Sequence, residues 1–205
     1  MRSLDPSPWS TCLASGYTVR RYSEMVQSQD RAGIADLIRK RFVERYLNPI
    51  LDNPERHGFA MLAICCLMVE TLESFRQGWE DTSERGRSEA AFCSFFQAHN
   101  EFRDLRPVAH DFYRAVRCGI LHQAETTQKW RVDREPGLVV EQGGVHWLSA
   151  FEFGNGLRAV LDRYHDELSN PNSDWKGPLW VKARKKLQAI SKNCGLPDRE
   201  VSKLA

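Results

Sequence analysis

Eleven consecutive residues, Phe59 to Val69, read Phe-Ala-Met-Leu-Ala-Ile-Cys-Cys-Leu-Met-Val, without one charged side chain. A run this apolar must leave water, because each buried methylene is worth nearly a kcal/mol, about 0.8. It is shorter than the roughly 20 residues that cross a bilayer as a helix. It also stops at Glu70. The expected destination is therefore the centre of a helical bundle, with a helix over about 57–77 and Phe59, Leu62, Cys66 and Val69 on its deepest face. A carboxylate placed straight after such a run is costly to bury unpaired. Glu70 therefore calls for a cationic partner, and Arg117 is the candidate. Glu73, one turn on, is expected to matter less.

Helical periodicity recurs along the chain. Asp30 is an N-cap candidate for a helix over about 32–47, whose apolar side is Ile34, Leu37, Ile38, Phe42 and Tyr46 and which Asn48-Pro49 can end. Phe92, Phe95, Phe96 and Phe102 mark a third helix, about 88–104. Pro107 suits the first turn of a fourth, running to about 124. A last bundle helix is expected over about 149–168. Residues 1–29 read as an irregular arm with a helical start near Tyr22.

Between about 129 and 147 the period changes from helical to alternating, interrupted by Pro136-Gly137 and Gly143-Gly144. That pattern predicts a small β-hairpin or meander. Beyond a polar linker, Pro178 opens a basic helix carrying Lys182, Lys185 and Lys186. The fold class is thus mainly α: a bundle over 30–168 with a β-hairpin insertion, followed by a helical extension over 169–205.

Net charge is only +2, so any nucleic-acid contact must come from a local patch rather than a global field. Six cysteines include no C-x-x-C pair, which argues against a zinc site and against a disulfide framework. No metal and no cofactor are expected. A reducing cytoplasm is the expected home, with no membrane association and no secretory signal in the first residues.

The segment from Asp111 to Glu125 concentrates the chemistry. Phe112, Val116 and Ile120 recur every four residues and define one buried face. Arg117 and His122 sit on the same segment, with Gly119 between them. Arginine clamps phosphate oxygens with a planar, permanent charge. Histidine moves protons near neutral pH. Two further Arg/His pairs have similar spacing. Arg103 and His110 straddle the Arg106-Pro107 boundary, and Arg158 and His165 lie on a solvated helix face, so Arg117 and His122 are the favoured pair. Residues five apart on a regular helix differ by about 140° in direction. Sharing a cleft therefore requires a sideways reach or a deformed helix, which Gly119 would make cheaper.

Arg117-x4-His122, on a late helix of an all-helical chain, resembles the Arg-x(4–6)-His motif of the HEPN superfamily, over roughly residues 30–168. Many members are metal-independent ribonucleases of toxin, phage-defence and CRISPR systems. The resemblance implies an up-and-down helical bundle and cleavage of RNA through attack of its own 2′-OH. It also implies a homodimer with the two motifs meeting at a two-fold axis, and an antitoxin or defence-complex protein as a further partner. Arg117 and His122 would be catalytic, supported by Glu70 and by Cys118, which stands where the family often has Asn, Asp or His. Arg114, Gln123, Lys182, Lys185 and Lys186 would contact the RNA. The alternative is a non-catalytic module of the same fold that grips RNA, a nucleotide or a protein.

Overall fold

The computed structural model describes residues 7–55, 57–133 and 137–204. The chain is mainly helical with two small sheets. In order it forms β1 (Cys12–Ala14), β2 (Tyr17–Thr18), α1 (Val19–Gln27), α2 (Arg31–Phe42), α3 (Asn48–Leu51), α4 (Gly58–Gln77) and α5 (Arg87–Ala98). Then come α6 (Ala109–Phe112), α7 (Gly119–Gln123), β3 (Trp130–Asp133), β4 (Val139–Gln142), β5 (Val145–Ser149), α8 (Ala150–Ser169), α9 (Pro178–Asn193) and α10 (Asp198–Val201). It divides into two compact units, one of Met1–Glu44, Ser74–Glu80 and Asp162–Ala205, the other of Arg45–Glu73 and Asp81–Leu161.

In the first unit, the helical start expected near Tyr22 is α1, but residues 12–18 pair as strands rather than forming an irregular arm. β1 and β2 pair antiparallel, Cys12 opposite Thr18. Thr18 then caps α1 by accepting from the Arg21 amide at 3.2 Å. Leu13, Val19, Tyr22 and Met25 are all buried to within 1 %, so this segment belongs to the core. Residues 1–6 lie outside the described residues. Asp30 caps α2, its side chain accepting from the Gly33 amide at 2.9 Å. In α9, Trp180 and Leu187 face inward. Lys186 does too: it is only 8 % exposed, and its ammonium donates to the Glu80 carbonyl at 2.5 Å. The expectation that Lys186 contacts RNA therefore fails. Its long aliphatic stem buries readily, and its head satisfies a carbonyl in the loop after α4.

Asn48-Pro49 does not end the second helix where expected. A π-type turn over Val43–Leu47 carries the chain straight into α3. Pro49 has no N–H to offer, and the widened turn absorbs the missing bond. The extra residue shifts the phase, so Leu47 is buried at 0 % instead of Tyr46.

The second unit is built on aromatic packing. Phe92, Phe95, Phe96, Phe102, Phe112 and Phe153 are each fully buried. Phe112 stacks on Phe153 at 5.5 Å and meets Trp130 edge-on at 5.5 Å. The third helix ends earlier than expected, at Ala98, and a 3-10 stretch (Asn100–Val108) holds Pro107. The motif helix therefore starts at Ala109, with Pro107 ahead of its first turn.

The predicted hairpin is a three-stranded sheet of order β3-β5-β4. β4 and β5 form the antiparallel hairpin across Gly143-Gly144. β3 pairs parallel to β5, Trp130 opposite His146, an arrangement that alternation alone cannot distinguish from a meander. Pro136 lies outside the described residues.

Among the described residues α4 is the one helix long and apolar enough to cross a membrane by length and composition, and 56 % of that window is buried inside the fold.

Candidate active site

The helix carrying Arg117 and His122 is deformed at the motif. Between α6 and α7 lies a π-type turn, Tyr113–Cys118. Short π segments widen a helix and leave a carbonyl without its ordinary partner. Here the Gly119 amide donates to the Val116 carbonyl, three residues back. The Ala115 carbonyl instead accepts from the Thr127 amide at 2.9 Å and from its hydroxyl at 3.3 Å. The chain leaving α7 is thereby folded back onto the motif helix. Gly119 makes this return possible: a Cβ there would stand 2.5 Å from the Glu125 carbonyl oxygen. The role expected for Gly119, easing a bend, is thus a close approach of backbone to backbone.

Arg117 projects from this turn towards α4. Its Nε donates to Glu70 Oε1 at 2.9 Å, with the two side chains 19 % and 12 % exposed. This is the contact that the apolar run ending in Glu70 led us to expect. The other carboxylate oxygen accepts from the Thr82 hydroxyl at 2.5 Å, so the loop after α4 orients Glu70. Arg117 Cζ lies 5.5 Å from the Tyr113 ring centre, a cation–π contact at i,i+4 spacing. Burial alone would lower the Arg117 pKa. The Glu70 charge and hydrogen bond outweigh it, and the pKa rises above its ordinary value. Glu70 engages the guanidinium through Nε, and a side-chain hydrogen bond with Cys118 also favours the charged form.

Cys118 is half-buried against Tyr113 and Arg117. Burial raises the Tyr113 pKa, with Ser88 and Arg117 opposing and Cys118 reinforcing. The neighbouring Cys66, fully buried, has its thiol pushed well up by desolvation and so has little thiolate character.

His122 is exposed near the end of α7, just before Ala124 at φ 56° closes the helix. It makes no hydrogen bond or ion pair among the described residues, and nothing joins it to Arg117. The pair that the sequence places on one segment with a buried face thus divides: the arginine is at the core edge and the histidine stands in solvent. Arg114 is exposed, 3.8 Å from Glu89, and Gln123 is exposed. Lys182, which covers Gly78, and the exposed Lys185 belong to the first unit with Lys186, while Arg117 and His122 belong to the second.

Of the competing pairs, Arg103 and His110 fall on different elements as expected, whereas Arg158 and His165 share α8 and are half-buried rather than on a solvated face. Arg103 lies on the 3-10 stretch and His110 on α6, where His110 meets Glu89 at 3.0 Å. Arg158 donates to Asn48 at 3.1 Å, and His165 pairs with Asp166 at 3.0 Å. Sequence reasoning missed Tyr113 and Thr82. Tyr113 was accessible, one helical turn before Arg117. Thr82 carries no local signal, since only tertiary folding brings it to Glu70. Among the described residues no group of three or more His, Cys, Asp or Glu side chains is placed to hold a metal ion.

No family model, no characterised protein and no solved structure matches this chain.

Proposed function

We propose that this chain is a metal-independent endoribonuclease of the HEPN type, acting in a toxin or defence setting with a protein partner. The observation that carries the reading is Arg117: a guanidinium fork fixed through Nε by a carboxylate, five residues before an exposed histidine. A fork so held suits bidentate capture of a phosphodiester. In the proposed reaction the 2′-oxygen bonds to phosphorus and the P–O5′ bond breaks. The 2′-OH proton passes to a base and another proton to the departing 5′-oxygen, giving a 2′,3′-cyclic phosphate and a 5′-OH. Arg117 stabilises the crowded phosphorane. His122 moves one proton, and a second copy of His122 from a symmetric homodimer moves the other.

A binding module without catalysis is favoured by one feature: no second group orients His122, whereas a catalytic base usually has one. Incubation of the purified protein with single-stranded RNA in EDTA decides between them. The nuclease reading expects cleavage that disappears in His122→Ala and Arg117→Ala, both still folded, and a dimer by light scattering. Cleavage by His122→Ala at the parent rate, or an active monomer, would overturn it.

A further inference from the structure

The sheet β3-β5-β4 has one face turned into its unit and one turned to solvent. Trp130 and Leu148 are buried at 0 % on the inner face. Alternation places the next residues outward. Arg131, Trp147 and Val140 are in register across the three strands, Arg131 and Val140 both opposite Trp147. They form one row on the outer face, because paired residues share a side. Trp147 is 38 % and Val140 48 % exposed, and Trp147 is the only exposed tryptophan among the described residues.

The charge beside this row is positive at one end. Arg131 is exposed, its Nη1 donating to the Trp130 carbonyl at 2.7 Å, which holds the guanidinium near the start of β3. Lys129 lies at the same end: a Cβ on Gly144, in the β4–β5 turn, would sit 3.4 Å from its ammonium. Asp133 stands at the far end of β3, two residues past Arg131. An exposed indole with two cations at one edge suits bases that stack while their phosphates meet the cations.

The sheet is also fastened to the motif helix. Trp130 Nε1 donates to Asp111 at 2.7 Å, and the Thr126 hydroxyl donates to the Trp130 carbonyl at 2.9 Å. The strand holding Arg131 follows the helix carrying His122 after residues 124–129.

We infer that the outer face of this sheet, centred on Trp147 with Arg131 and Lys129, is a binding platform for single-stranded RNA. The inference rests on the ribonuclease reading above and names the surface that holds the strand being cut. Recognition is by stacking and charge and so tolerates many sequences. Duplex RNA, whose base faces are covered, is a poor ligand.

The test is fluorescence anisotropy with a labelled mixed-sequence single-stranded RNA of about 12 nucleotides, in EDTA. The parent is the His122→Ala protein, which leaves the RNA uncut. Trp147→Ala should raise Kd about tenfold, and Trp147→Phe should restore most of the affinity. Lys129→Ala and Arg131→Ala should each reduce the slope of log Kd against log salt by about 0.7. Circular dichroism melts show whether each variant is folded.

The platform is overturned if the parent binds no single strand, if Trp147→Ala binds as the parent does, or if duplex RNA competes equally. It is also overturned if Trp147→Ala breaks self-association while RNA binding persists, which would make the face an interface between copies. If the unmodified protein cuts nothing yet Trp147→Ala abolishes binding, the nuclease reading falls and the platform stands. If it cuts RNA and Trp147→Ala binds normally, the platform alone falls.

Discussion

Replacing Glu70 by Gln removes one negative charge from a pair whose arginine is mostly sequestered. Breaking a fully buried pair costs about 3–5 kcal/mol. This pair is 19 % and 12 % exposed, so water relieves part of the loss. The amide oxygen can still accept from the Arg117 Nε–H, which retains a hydrogen bond with one charged partner, worth about 1.5–3 kcal/mol. The net cost is then about 1–2 kcal/mol. For a chain of 205 residues that corresponds to a fall in Tm of roughly 2–8 °C. Cleavage should fall with it, because an arginine without its anchor samples several rotamers and spends less time aimed at a phosphate.

Glu73→Gln is the informative control, and the structure changes what to expect of it. Glu73 is 0 % exposed and accepts from the Ser94 hydroxyl at 2.5 Å. It is the more deeply buried of the two acids, not the lesser one that the sequence implied. Glu73→Gln should therefore lower Tm at least as much as Glu70→Gln while leaving cleavage by the folded fraction near the parent rate. Thermal melts and initial cleavage rates, both in EDTA, separate stability from positioning. A Glu70→Gln protein with parent Tm and parent rate would refute the argument that the carboxylate holds Arg117. Equal loss of cleavage in both variants would show that only stability had been measured.

Gly119→Ala should destabilise the protein by at least about 1–3 kcal/mol, since its Cβ would stand 2.5 Å from the Glu125 backbone oxygen. A melt unchanged from the parent would show that the return segment yields freely. At alkaline pH, stability should be full below about pH 10 and fall as pH rises towards 12. Burial, reinforced by the hydrogen bond to Asp36, raises the Tyr17 pKa to about 12, so the unfolded chain loses that proton first. The buried hydroxyls of Tyr22 and Tyr164 shift in the same direction. Denaturant midpoints across pH 9–12 measure this, and Tyr17→Phe should flatten the curve.

Short-range information was enough for much of the architecture. The run from Phe59 to Val69 required a central helix, and α4 spans Gly58–Gln77. Asp30, Pro178 and the 3.6-residue spacing of leucines and phenylalanines placed α8 and the starts of α2, α5 and α9 to within a few residues, because caps and amphipathic faces are properties of neighbours along the chain. Even the need of Glu70 for a cationic partner followed from local reasoning. A carboxylate at the end of an apolar run has few ways to avoid an uncompensated charge.

What the chain alone left open depends on groups far apart in sequence. Parallel pairing of β3 with β5, the burial of residues 12–27 and the inward turn of Lys186 each rest on a partner that no local pattern names. The two π turns are of this kind as well. A widened turn survives where something else takes the carbonyl it releases, and at the motif that partner is Thr127, bonded to Ala115 across Gly119. The tertiary structure also placed Arg117 and His122 in different environments, one anchored at the core edge and one in solvent. Spacing along a helix sets the angle between two side chains, whereas their burial is set by what packs against each side of that helix.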